Sequence, residues 1–186
     1  LYLLARELGL SRLAACAASL LLYLAPHFFA EGHYNNKDMV LLALALWTFA
    51  AGARFMRQPT VLRALVLALA GALAANTKII GVFIWGLMAL TALISLLVRH
   101  GFTGRVRAAW FASIVAFLAF FALLTPALWG DPVGYFTYVL NNATRFTRWT
   151  GVVLYKGVVY NPTRGLPLPR LYLPTMIAVT VPVGFL

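Results

Sequence analysis

Two short polar segments and one long one, in an otherwise apolar chain, carry the residue types that chemistry needs. The first, His33-Tyr34-Asn35-Asn36-Lys37-Asp38, ends on a carboxylate at the start of an apolar run. A helix N-terminus favours an anion, so Asp38 reads either as a cap or as a carboxylate that orients a substrate or a metal. His33, Asn36 and Lys37 are candidate substrate contacts beside it, and His33 is equally readable as an ordinary interfacial histidine. The second segment is Asn76-Thr77-Lys78, preceded by the apolar run Ala64–Ala75. At roughly 1.5 Å per residue that run reaches only some 18 Å into a core of about 30 Å. Lys78 is therefore expected in a recess below the headgroups unless the helix extends through Arg63. An ionisable group at membrane depth is a functional hypothesis by default. Ammonium is a compact charge suited to a lipid phosphate, and snorkelling to the surface is the plain alternative.

The third segment, Gly130–Leu173, interleaves Arg145, Arg148, Lys156, Arg164 and Arg170 with Tyr138, Trp149, Tyr155, Tyr160 and Tyr172. Arginine forks bind phosphate bidentately. Aromatic rings stack on sugar faces, and they also anchor at the membrane interface. Arg145, Arg148 and Tyr172 are kept as candidate substrate contacts. Asn142-Ala143-Thr144 matches a glycosylation sequon, a pattern that chance supplies often. No P-loop, zinc-ligand spacing, Ser/His/Asp order or Gly-rich nucleotide motif occurs, so soluble-nucleotide chemistry is unsupported.

The elements that must position these residues are membrane helices. Hydrophobic residues make up 63% of the chain and charged ones 10%, against roughly 45–50% and 25% in a soluble domain. Runs long enough to cross a bilayer cover Leu13–Ala30, Ile79–Val98 and Ala108–Trp129. Met39–Ala53 is shorter but extends through Met56, while Ala64–Ala75 is short for a span. Leu1–Ala5 and Thr175–Leu186 read as pieces of two more, with both termini cut inside an apolar run. The expected organisation is transmembrane helices with short loops over 1–129, a non-cytoplasmic loop over 130–173, and the start of a further helix over 174–186. The expected fold class is an all-α, polytopic helical bundle.

Fifteen Lys and Arg against four Asp and Glu give a net charge of +11. These charges lie between apolar spans and not on one soluble face, so anionic lipid or a phosphate-bearing lipid is the partner and nucleic acid is not. The lone Cys16 rules out a disulfide within the chain. The links with Arg6 and Arg12, then Arg54, Arg57 and Arg63, then Arg99, Arg105 and Arg107 are cytoplasmic by their positive charge. Alternation puts Pro26–Asp38, Asn76–Lys78 and Gly130–Leu173 together on the opposite face. Within the long segment, Asp131 reads as an N-cap and Pro132 as the first helical residue. The mixed apolar and polar stretch to about Arg148 fits an interfacial helix, and Asn161-Pro162-Thr163-Arg164-Gly165 fits a turn.

Together these residues resemble the bacterial branch of the protein O-mannosyltransferase family, within the GT-C membrane glycosyltransferases that also include the aminoarabinose transferases of lipid A. Pro26-His27-Phe28-Phe29-Ala30 followed by His33–Asp38 is similar to the family's Pro…Asn-x-Lys-Asp stretch. Gly71–Gly81, with Ala75-Asn76-Thr77-Lys78, is similar to its helical hairpin, and Leu166–Pro174 to its Tyr-x-Pro start of a helix. Leu168, Arg170 and Leu171 depart from the aromatic-rich form of that last motif. The resemblance implies a GT-C-like bundle that transfers a sugar, with inversion, from a polyprenyl-phosphate donor to a protein or glycolipid acceptor. It places the site on the non-cytoplasmic side, in a bacterial inner membrane. It makes Asp38 the second active-site acid and Lys78 a contact of the carrier phosphate, and leaves open a divalent metal at Asp38. The family's principal acidic motif lies in a first far-side loop, so the main base is expected upstream of residue 1 and the chain alone is expected to be inactive.

A transporter or lipid flippase is the competing class, marked by broken helices and midplane charges; one short helix and no visible inverted repeat argue against it. Cysteines introduced as Tyr34→Cys and Tyr160→Cys are expected to react with an impermeant reagent from the non-cytoplasmic side. Cytoplasmic labelling of either breaks the topology.

Overall fold

The computed structural model describes residues 1–101, 103–145, 151–161, 165 and 167–180. Helix α1 (Tyr2–Glu7) leads into α2 (Arg12–Leu24), which Ser11 caps by accepting a hydrogen bond from the Ala14 amide at 3.1 Å. Helix α3 (Pro26–Tyr34) comes next, at a 63° bend. Pro26 causes the bend, because it has no N–H for the ladder and holds Ala25 extended at φ −61°, ψ 122°. The continuous span expected over Leu13–Ala30 is thus a broken pair, and α3 packs against α2 and the start of α4.

Helix α4 (Asn36–Arg57) runs for 22 residues, with Asp38 in its first turn and Arg54 and Arg57 in its last. Both ends carry the charge that the helix dipole favours. Helices α5 (Val61–Thr77), α6 (Ile80–His100) and α7 (Gly104–Leu124) complete the bundle. Among the described residues, α4, α6 and α7 are long and apolar enough to cross a membrane, and α2 with α3 makes a fourth if the bent pair is one span. The chain is an all-α polytopic membrane bundle, as its composition requires.

Helix α5 occupies the centre, packed against α4, α6 and α7. Its buried residues are Ala64, Leu67, Ala68, Ala70, Gly71, Ala72, Ala74 and Ala75, all small except Leu67. Small side chains let helix backbones approach closely where no water drives association. A Cβ on Gly71 would fall into the Trp85 indole, and one on Gly81 would meet the backbone of Ala74 and Ala75. Trp85 in turn stacks on Phe117 of α7 at 3.8 Å between ring centroids and 7° between planes. Trp110 of α7 donates its indole N–H to the Ala89 carbonyl of α6 at 3.1 Å.

Helix α5 exceeds the expected run Ala64–Ala75 at both ends and includes Arg63, because Thr60 caps it three residues earlier. At 1.5 Å per residue its length is about 26 Å, so the deep recess expected for Lys78 largely disappears.

The end of the bundle that carries the arginines is held by Glu7. Its carboxylate lies 2.5 Å from Arg54 Nε and 3.0 Å from Arg57 Nη2, and Arg57 also donates to the Glu7 carbonyl. Arg63 donates to the Arg54 carbonyl at 3.1 Å. Burial alone would raise the Glu7 pKa, but the hydrogen bonds and charges of the two arginines outweigh it and hold the carboxyl below its ordinary value.

Beyond α7, the short α8 (Ala127–Gly130) leads to α9 (Pro132–Thr144). Asp131 caps α9 by accepting from the Gly134 amide at 2.8 Å, and Pro132 is its first residue. The helix stops at Thr144, short of Arg148, and the expected turn at Asn161–Gly165 falls largely outside the described residues. Between α9 and the C-terminal helix lies an element that the sequence reading leaves as loop: strands β1 (Val153–Tyr155) and β2 (Val158–Tyr160) form an antiparallel hairpin. Its two-residue turn, Lys156-Gly157, has positive φ at both positions, 49° and 79°, the type I′ geometry that matches strand twist. Tyr155 is buried against Tyr160 and Tyr172, and its hydroxyl lies 2.9 Å from Thr175 Oγ1 in α10 (Tyr172–Thr180).

This packing sets two expected outcomes. Gly71→Val forces a branched side chain into the Trp85 ring and is expected to cost about 1–3 kcal/mol, seen as a lower thermal midpoint in detergent. Gly86→Ala, where a Cβ meets nothing within 4 Å, should be neutral or slightly stabilising. Because the folded Glu7 pKa is depressed, its stabilisation is present above the unfolded value of about 4.5 and lost as pH falls through the folded value. Glu7→Gln should therefore be less stable than the parent at neutral pH, with the difference shrinking below about pH 4.5; a pH-independent difference would contradict the clamp.

Candidate functional site

Opposite the arginine end, the first turn of α4 meets the hairpin between α5 and α6. Asn35, the residue that closes α3, donates its side-chain N–H to Asp38 Oδ2 at 2.8 Å. Lys78 Nζ forms an ion pair with Asp38 Oδ1. Only Lys78 and Ile79 separate α5 from α6. The Lys78 amide donates to the Ala74 carbonyl at 3.1 Å, and the Lys78 carbonyl accepts from the Gly81 amide at 2.8 Å. The missing side chain at Gly81 lets this turn close onto Ala74. Asn76, two residues earlier, is 2.8 Å from the hydroxyl of Thr125 at the end of α7. Lys78 thus projects from a turn fixed on three helices, and the two side chains of the pair are each about half exposed, 46% and 45%.

A cavity opens on each side of the pair. The one on the Asp38 side has a volume of about 550 Å³, lined among others by His27, Glu31, Asn35, Asp38, Met39 and Thr180. The one on the Lys78 side has about 600 Å³, lined among others by Asn76, Lys78, Tyr135, Tyr138, Val139 and Asn142. Helix α9 forms its outer wall. Burial raises the Tyr135 phenol above its ordinary pKa, so it faces this space as a neutral hydroxyl.

The remaining sequence candidates separate. His33 Nδ1 lies 2.8 Å from the Phe29 carbonyl, with its ring 4.8 Å from that of Phe29. It is engaged within α3 and lines neither cavity. Asn36 and Lys37 begin α4 on its exposed side, and neither they nor Arg145 line either cavity. Tyr172 packs edge-on against Tyr155 at 5.3 Å and 77°. It belongs to the tyrosine cluster that docks the hairpin on α10. Arg148 lies outside the described residues.

For a metal at Asp38, the donor set is poor. Among the described residues no three His, Cys, Asp or Glu side chains converge, and the immediate partners of Asp38 are an ammonium and an amide N–H. Hard divalent cations take several oxygen ligands, so these residues do not fit one.

Sequence reasoning missed Glu31 and His27. They stand at i and i+4 on α3, with Nε2 to Oε1 at 4.0 Å. The signal was the helix start at Pro26, which puts both residues on one face. Tyr135 and Asn142 were also missed as wall residues; they share a face of α9 at a spacing of seven.

The ion pair lies within the part of the chain that a family model recognises, while the α9 and α10 residues of the cavity walls lie beyond it. That model, described as dolichyl-phosphate-mannose-protein mannosyltransferase, matches residues 1–132. No curated protein and no solved structure matches the chain. The match covers well over half of the 186 residues and takes in both Asp38 and Lys78. With a polytopic bundle and a cation–carboxylate pair at one end of it, the chain belongs to the dolichyl-phosphate-mannose-protein mannosyltransferase family, membrane glycosyltransferases that draw on a polyprenyl-phosphate-linked sugar.

Proposed function

We propose that the Asp38–Lys78 pair is part of the transfer site of an inverting glycosyltransferase on the non-cytoplasmic face of a bacterial inner membrane. The donor is a sugar on polyprenyl phosphate, and the acceptor is a hydroxyl of a protein or glycolipid. The observation that carries this reading is the ion pair itself, a lysine and a carboxylate in contact at one membrane end with a cavity on either side.

The chemistry assigns a role to each. An acceptor oxygen attacks the anomeric carbon from the face opposite the phosphate, and the bond to the phosphate oxygen breaks with its electron pair moving onto that oxygen. Lys78 holds the phosphate and stabilises the charge that develops there. Asp38, as the second acid of the centre, faces the acceptor and assists the main base that takes the proton the hydroxyl loses. The tyrosines of α9, with the apolar Val139, make the Lys78 side suited to a lipid chain leaving the bundle. His33, Asn36, Lys37, Arg145 and Tyr172 remain candidate contacts outside both cavities, and Arg148 remains one outside the described residues.

Lys78→Ala and Asp38→Asn in the full-length protein should each reduce transfer at least about 100-fold, the scale for loss of one charge-stabilising or acid–base group. Membrane insertion should be unchanged. Near-parental transfer in both variants, measured as sugar moved from labelled polyprenyl-phosphate sugar, sinks the assignment.

A further inference from the structure

The Asp38-side cavity holds a carboxylate that the proposed transfer does not use. The side chain of Glu31 is only 25% exposed. Among the described residues its nearest side-chain partner is His27 Nε2 at 4.0 Å, beyond hydrogen-bond reach. The carboxylate lines the cavity with no donor in hydrogen-bond reach among the described residues, so it is free to accept from a ligand there. Asp38, on the same wall, differs: Asn35 and Lys78 occupy its two oxygens. The remaining lining of this cavity is an apolar floor from Leu22, Phe28, Met39 and Leu42, with the Thr180 hydroxyl of α10 at the rim. Such a space favours a ligand with an apolar body and a hydroxyl to donate.

We infer that this cavity is the acceptor subsite, and that Glu31 accepts a hydrogen bond from the acceptor hydroxyl and aims its oxygen toward the Asp38–Lys78 pair. His27 stands one turn away on the same face of α3, with Nε2 4.0 Å from Glu31 Oε1. The proton lost on transfer goes to the acid–base group of the centre, so Glu31 sets acceptor affinity and orientation. Substrates are thereby divided: the lipid phosphate lies on the α9 side of the pair and the hydroxyl-bearing acceptor on the α3 side. This inference rests on the transfer reading above, in which Lys78 meets the phosphate.

The test uses the full-length protein in lipid nanodiscs, with polyprenyl-phosphate mannose and a threonine-containing peptide as probes. Glu31→Gln keeps the shape and helix propensity of the residue while removing the charge. It should raise the KM for peptide about tenfold or more with the KM for donor unchanged, and Glu31→Asp should restore part of the loss. An unchanged peptide KM in Glu31→Gln overturns the inference. A second measurement is independent of turnover: in a Cys16→Ser background, Thr180→Cys should react with maleimide more slowly when peptide is added, and undecaprenyl phosphate should not slow it. Absence of peptide protection, or protection by the lipid phosphate instead, overturns the assignment of this cavity. Lys78→Ala separates the two readings. If it raises the donor KM while the Glu31 variants leave the peptide KM alone, only the acceptor subsite fails. An unchanged donor KM in Lys78→Ala means that the phosphate reading itself fails.

Discussion

The close backbone approach of α5 to its neighbours is the constraint on which the rest of this structure depends. In lipid, helices gain nothing by hiding apolar surface from one another, so packing distance decides which helices stay together. An inner face of Ala64, Ala68, Gly71, Ala72 and Ala75 lets α4, α6 and α7 close on one helix. The aromatic residues stand on the partners instead, with Trp85 filling the space above Gly71 and stacking on Phe117. A larger residue at Gly71 or Gly81 would move α6, and with it the turn that carries Lys78. The position of one cation is therefore set by side chains that are absent.

Charge obeys the same geometry. Helix α4 places Asp38 near one end and Arg54 near the other, roughly 24 Å apart at 1.5 Å per residue. Each end finds its partner on another element, Lys78 from the α5–α6 turn and Glu7 from α1. The two pairs differ in character. Glu7 is 11% exposed and gripped by two arginines, so it fixes α1 to α4. Asp38 and Lys78 are about half exposed, where an ion pair adds little to stability.

Much of this was legible in the sequence, for identifiable reasons. Apolar length locates the spans because lipid imposes it, and alternating basic links order them. Asp131-Pro132 names the start of α9 because a cap and a first-turn proline are local chemistry. Asp38 and Lys78 were singled out separately; their contact, 40 residues apart in sequence, is a tertiary fact that no local pattern encodes. The break at Pro26 was readable in principle, since proline inside an apolar run ends or kinks a helix, yet run length alone hides it. The β1–β2 hairpin was missed because Lys156-Gly157 is a less familiar I′ pair than Asn-Gly. Its flanking Val and Tyr residues read equally well as interfacial anchors. Tyr172 carries the same ambiguity: an aromatic near a basic residue reads as a sugar platform, and the fold packs its ring edge-on against Tyr155.

In the proposed transfer, the weakness of the Asp38–Lys78 pair is what suits it to the task. A lysine buried in a tight pair would have to break a strong, desolvated contact before meeting a phosphate. Here the pair is solvated, and one cation is shared between a carboxylate carrying one negative charge and, in the proposed reaction, a phosphate whose charge grows as the glycosidic bond breaks. On that reading Coulomb attraction would shift Lys78 toward the phosphate as the donor arrives. In that proposed reaction Asp38 would then be released from its cation. A carboxylate that loses a positive partner becomes a better proton acceptor. Donor binding on one side of the pair would thereby ready the carboxylate on the other, and with no donor present the Asp38–Lys78 contact keeps that carboxylate from acting on an acceptor hydroxyl.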